Sequence, residues 1–204
     1  EQNQALDDIV LTDVCPYTLG IDVVDENGKP GQFLPIIERN SIVPISIEKR
    51  VYTTQDDQRF LMIKIYQGEN RLVEKNIYLG FVNVPVPKSK AGMESVRVRY
   101  SYDMNGLLVV DVTVESTGKI FNKIIENAPG MLSDDEKQNS LRKLEKLKFH
   151  PRDDQKNAQL IAKGDRLYSS SLGEIRDQIA MAISSFERVL EGQNRIQIEK
   201  AQKE

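Results

Sequence analysis

TDVCPYTLGIDVV, residues 12–24, holds Cys15, the one cysteine of the chain, beside a proline and at the head of an apolar run. A thiol there could be a nucleophile, a metal ligand or a small buried residue. A cysteine nucleophile needs a base within hydrogen-bond reach, and the only histidine is His150, far downstream at the junction of two expected helices. His-Pro between helices reads first as a way to end one. A structural zinc site takes four ligands, which one Cys and one His cannot supply. The acidic pairs Asp56–Asp57 and Asp153–Asp154 read as a turn and a helix N-terminus. Neither GxxxxGK[ST] nor GxGxxG is present, so phosphate cradling has no support. Cys15 therefore reads as a small hydrophobe ahead of a strand, with neither a catalytic group nor a metal site expected.

The elements that would position any site fall into two halves. Up to about Asn127 the period is that of strands. QRFLMIKIY (58–66) puts Leu61, Ile63 and Ile65 on one face, and SVRVRYSY (95–102) alternates Val96, Val98, Tyr100 and Tyr102 with Arg97, Arg99 and Ser101. DMNG (103–106) turns the chain into LLVVDVTV (107–114), and STGK (116–119) turns it again into IFNKIIEN. Further strands are expected near 19–24, 33–37, 43–52 and 77–84. Prolines at 16, 30, 35, 44, 85 and 87 exclude long helices there. An antiparallel sandwich follows from many short strands joined by Gly, Asn and Pro turns. After NAPG (127–130) the period becomes helical. SDDE (133–136) has capping-box spacing, and the helix should run to about Phe149. Ile175, Ile179, Ala182, Ile183, Phe186, Val189 and Leu190 then form a stripe that Gly192 interrupts.

The 204 residues carry 28 Lys and Arg against 31 Asp and Glu, which offers no basic field for nucleic acid. No apolar run approaches the roughly 20 residues that span a bilayer, so no membrane partner is expected. The chain opens EQNQALDD, without a methionine or a signal-like stretch, and is expected to be part of a longer protein. A single cysteine suits a reducing compartment, and the cytoplasm is the expected location.

An ordered series of blocks is similar to the seventy-kilodalton heat-shock chaperones, the DnaK family. DDIVLTDVCPYTLGI (7–21) resembles the interdomain linker and first strand, with Asp13, Val14, Pro16, Leu19, Gly20 and Ile21 matching. IIERNSIVP (36–44), VYTT (51–54), IYQGEN (65–70), YLGFVNV (78–84), YDMNGLLVVDVTVESTGK (102–119) and GMLSDDE (130–136) follow in family order. The cysteine and the short helical region look more like the bacterial HscC branch than like DnaK itself.

The resemblance implies an α+β fold: a linker over 1–12, an antiparallel β-sandwich that binds peptide over 13–130, and a helical lid over 131–204. The ATPase domain of the family would precede this region, so ATP and Mg belong to the full-length protein and no cofactor is expected here. The implied function is to hold extended hydrophobic segments of unfolded polypeptides. Carried over by position, Ile21, Val23, Tyr52, Leu61, Ile63 and Val96 would line the groove, with Leu61 at its central pocket. Val24 and Gln55 would form the arch over the bound backbone. Ile9, Val10 and Leu11 would dock on the nucleotide-binding domain, and Asp13 and Arg39 would communicate with it. Asp165 would latch the lid, while Ala91 stands where a basic partner is expected and Ser169 where a histidine is. The short lid implies client release no slower than that of DnaK. A J-domain co-chaperone is the other implied partner. A groove that accepts apolar segments can also take a neighbour's terminus, which makes self-association a further expectation.

Two other readings stay open at this level. One is an assembly module that contacts a single folded partner; the other is a cysteine enzyme built on Cys15 and His150.

Overall fold

A computed structural model describes residues 13–126 and 132–203. The strands are β1 (Leu19–Val24), β2 (Pro30–Ile37), β3 (Ile45–Tyr52), β4 (Phe60–Gln67), β5 (Ile77–Pro85), β6 (Ser95–Tyr102), β7 (Leu107–Val114) and β8 (Ile120–Glu126). They form two four-stranded sheets, ordered β2-β1-β4-β5 and β3-β6-β7-β8, with antiparallel neighbours throughout. The expected sandwich, followed by helices, is the observed α+β layout.

The core follows from the period-two pattern. Ile21, Ile65, Val84, Val96, Val98, Tyr100, Val110 and Val112 are fully buried between the sheets. Tyr100, on β6, sends its hydroxyl across the sandwich to donate to the Gly20 carbonyl of β1 at 3.0 Å. Burial raises the Tyr100 pKa well above that of a free phenol, which keeps it a donor. Tyr100→Phe leaves that carbonyl without its partner inside the core, and a loss of about 1–2 kcal/mol is expected. Urea unfolding with an unchanged m-value checks it.

Turn chemistry joins the strands as the sequence implies. Asp103 Oδ1 accepts from the Asn105 and Leu107 N–H groups at 3.0 and 2.8 Å, and Gly106 takes φ 78°, which glycine adopts without strain.

Helix α1 (Asp134–Glu145) starts with the expected capping box: the Ser133 side chain accepts from the Glu136 N–H, and the Glu136 carboxylate accepts from the Ser133 N–H. It ends four residues before the expected Phe149. Its buried Leu144 packs on Leu107 and Val109 of β7, and Lys148 just beyond it pairs with Asp111 of β7 at 2.8 Å. These contacts draw α1 into the sandwich. One compact unit runs up to Lys148, and a second begins at Phe149.

The second unit holds α2 (Gln155–Ser170), α3 (Gly173–Glu191) and α4 (Arg195–Ala201). His150 caps the short 3-10 turn Pro151–Asp153, its Nδ1 accepting from the Arg152 N–H at 3.1 Å, and Asp154 caps α2. Gly164 lets α2 approach α3: a Cβ there would lie 2.8 Å from Ile183 Cγ1. Leu190 and Ile198 are the buried apolar residues of this small core, while Ile175, in the expected stripe, is 63% exposed. No helix among the described residues is long and apolar enough to cross a membrane.

Candidate functional site

The pairing of β1 with β4 is short. It covers Leu19↔Gln67, Gly20↔Tyr66 and Ile21↔Ile65 and then stops, while β4 continues its ladder with β5 as far as Phe60↔Pro85. From Phe60 to Lys64 the β1-facing edge of β4 therefore has no strand beside it, although β4 lies inside the sheet. An edge of this kind presents unpaired N–H and C=O groups that can take another strand.

A cleft of about 630 Å³ opens at this point. Ile21, Val23, Val24 and Leu34 line it from β1 and β2, Phe60 to Lys64 from β4, and Arg50 to Thr54 and Gln58 from the end of β3 and the loop after it. Its floor is apolar and buried: Ile21, Ile63 and Leu61 are 0, 4 and 8% exposed. Its rim is apolar and open, with Tyr52, Phe60 and Met62 half exposed.

The loop Thr53–Arg59 is held to its neighbour, residues 86–94, by backbone geometry. The Thr53 N–H donates to Glu94 O at 2.9 Å, the Gly92 N–H to Thr53 O at 2.8 Å and the Asp57 N–H to Ser89 O at 2.8 Å. Asp56 Oδ1 accepts from the Ala91 N–H at 2.8 Å, so Ala91 contributes through its backbone. Across the cleft, Asp22 Oδ1 accepts from the Gly31 N–H at 2.8 Å and its Oδ2 lies 3.4 Å from Lys64 Nζ. This places one ion pair at the point where β1 and β4 part.

Of the residues expected in the groove, Ile21, Val23, Val24, Tyr52, Leu61 and Ile63 line this one cleft. Val96 does not; it is fully buried in the core opposite Val51 and Val114. Gln55 is exposed in the loop and is also absent from the lining. Ile9, Val10 and Leu11 lie outside the described residues. Asp13 is exposed, its carbonyl accepting from the Val43 N–H at 3.0 Å. Arg39 lies 3.8 Å from Glu69 with its side chain 62% exposed. That glutamate also accepts from the Thr18 N–H and hydroxyl, both at 2.9 Å, and the Thr18 N–H first among these contacts lowers its pKa. Asp165 is exposed on α2, where its carbonyl accepts from Ser169 Oγ at 2.8 Å.

Phe60, Met62, Lys64, Asp22 and Arg50 are cleft residues that sequence reasoning passed over. A signal for two of them was present: FLMI in β4 is apolar at outward as well as inward positions, which a strand with one solvated face does not need.

The chemical candidates have structural employment instead. Cys15 is 1% exposed, donates to Tyr17 O at 3.1 Å, and burial pushes its pKa up, against the thiolate. No three His, Cys, Asp or Glu side chains among the described residues group to hold a metal.

A family model described as Hsp70 protein matches residues 1–204. The chain is 37% identical over 129 residues to the chaperone protein DnaK of Thermosipho africanus, covering 63% of this chain and 21% of that protein. It is 34% identical over 143 residues to a heat shock protein of Pyricularia oryzae, covering 69% of this chain and 22% of that protein. A DnaK of Thermotoga maritima matches at 37% over 130 residues, 63% of this chain and 21% of its own length. The chain thus spans about a fifth of the length of the curated relatives it matches.

Proposed function

The chain belongs to the Hsp70 family, and on that premise we propose that it is the client-binding part of a chaperone, holding extended apolar segments of unfolded polypeptides in the cleft between β1 and β4. The observation that carries this reading is the free β4 edge, Phe60 to Lys64, standing over an apolar floor of Ile21, Leu61 and Ile63. Backbone groups of the edge take an extended chain whatever its sequence, and the floor reads hydrophobicity.

Magnitudes suit a reversible clamp. Burying one client leucine contributes about 1.5–3 kcal/mol, and each main-chain hydrogen bond on the order of 1 kcal/mol net. Ordering a flexible client opposes this by several kcal/mol. Affinity in roughly the micromolar range, near −8 kcal/mol, is the expectation for such a clamp.

The rest of the assignment follows the family. Residues 131–204 serve as a short helical lid with Asp165 in its latch, residues 1–12 as the linker, and Asp13 and Arg39 as contacts to an ATPase domain. ATP, Mg and a J-domain partner act through that domain, so this part binds clients and itself catalyses no reaction. The short helices and Cys15 favour the HscC branch within the family.

Competition tests the reading. A labelled leucine-rich peptide should bind and be displaced by an unfolded protein, while the same protein in its folded state should leave it bound. Indifference to the peptide, with tight binding of one folded partner, would make the chain an assembly module instead.

A further inference from the structure

Three charged side chains line the cleft, and only one is acidic: Asp22, against Lys64 and Arg50. That aspartate is already engaged on both oxygens, by the Gly31 N–H and by Lys64. Arg50 shares its partners: its side chain is hydrogen-bonded to that of Tyr52, also on the cleft. Its Nη2 donates to Glu115 Oε1 at 2.8 Å, but the same oxygen lies 3.6 Å from Arg97 Nε, and Glu115 Oε2 accepts from Ser95 Oγ.

Arg97 is the cross-strand partner of Arg50 in the β3–β6 ladder, and like charges placed opposite each other weaken a sheet. Its Nε is shielded from solvent without a hydrogen bond. One row further, Arg99 Nη2 holds Glu48 Oε2 at 2.7 Å, while Arg97 Nη1 is 3.5 Å from Glu48 Oε1. Arg50, Arg97 and Arg99 thus share the carboxylates of Glu48 and Glu115, three guanidinium groups on two carboxylates, while Asp111 opposite Arg99 is taken by Lys148, and positive charge is in excess among these five.

The excess is exposed at one end. The Arg99, Arg97 and Arg50 side chains are 11, 38 and 49% exposed, and Arg50, the most open of the three, is the one that lines the cleft. An extended polypeptide advances about 3.3 Å per residue, so residues next to the segment in the cleft pass close to this guanidinium. A carboxylate there would meet a geometry that the arginine fork accepts well; an ammonium would be repelled.

We propose that Arg50 reads the residues flanking the bound segment, and that the cleft selects apolar segments with acidic flanks over those with basic flanks. The proposal rests on the peptide-binding reading above.

Three labelled peptides with one leucine-rich core, flanked by Glu, Gln or Lys, test it by fluorescence anisotropy against the full chain. Kd should rise in the order Glu, Gln, Lys, with about a tenfold gap between the charged peptides at low ionic strength that falls to about twofold in high salt. Arg50→Glu should invert the order and Arg50→Lys should keep it, each read as the ratio of the Glu-peptide to the Lys-peptide Kd within one variant. The Arg50→Lys result stands even where Arg50→Glu melts early. Equal Kd values for the Glu and Lys peptides, or an order unchanged in Arg50→Glu, overturns the role of Arg50 while binding of the Gln peptide keeps the cleft reading. If none of the three binds the wild type, the cleft reading fails and the selectivity fails with it.

Discussion

Leu61→Trp should reduce binding of a leucine-rich peptide by roughly ten- to a hundredfold, the equivalent of losing the place of one buried client leucine, about 1.5–3 kcal/mol. Leu61 sits on the cleft floor beside Ile63 and Ile21, on the part of β4 that lacks a strand neighbour toward β1. An indole at this position has free volume on the cleft side and a close-packed core on the other, so it fills the cleft. Forcing it inward would cost a further 1–3 kcal/mol or so, and a thermal melt tells the two outcomes apart. Leu61→Met conserves volume and should keep both the melting temperature and the binding close to wild type. Titrations of Leu61→Trp that overlay the wild type would move the site away from β4.

The strand content was legible because its signal is local. Leu61, Ile63 and Ile65 alternate with Phe60, Met62 and Lys64, and they point inward and outward as the period requires. The capping box at Ser133 and the Asp103 turn are local too, written in three or four residues each.

Features that depend on which strands meet, and for how long, were not legible. Nothing in LGIDVV or FLMIKIY says that β1 and β4 pair over three residues and then part, yet this creates the cleft. Val96 has the alternation of a groove residue and of a core residue alike; only the pairing of β6 between β3 and β7 seals it. The helix expected to reach Phe149 stops at Glu145, since Lys148 is drawn to Asp111 on β7. The charge row at Arg50 was hidden for the same reason. Arg50, Arg97 and Glu115 are far apart in sequence and become neighbours only through the sheet.

Gly20→Ala should be strongly destabilising, at about 3–5 kcal/mol if overpacking and an orphaned buried carbonyl both count. A Cβ on Gly20 would lie 2.2 Å from Leu34 O, 2.9 Å from Leu34 C and 2.8 Å from Phe33 Cε2. The first two are backbone atoms of β2, so no rotamer change relieves the clash; β1 and β2 must separate. The register shift between Leu19 and Gly20 already marks this as an irregular point of the ladder. Separation pulls the Gly20 carbonyl away from Tyr100, which joins the sheets, and moves Ile21 on the cleft floor. Such a loss is a large share of the roughly 5–15 kcal/mol typical of a folded domain. With Trp 0 and Tyr 7 in the chain, tyrosine fluorescence in urea follows the unfolding. A double-mutant cycle identifies the cause. Tyr100→Phe should cost clearly less in the Gly20→Ala background than alone, because the bond it removes is already broken. Strictly additive losses would mean that β1 keeps its hold on Tyr100 and that the strain is relieved within β2.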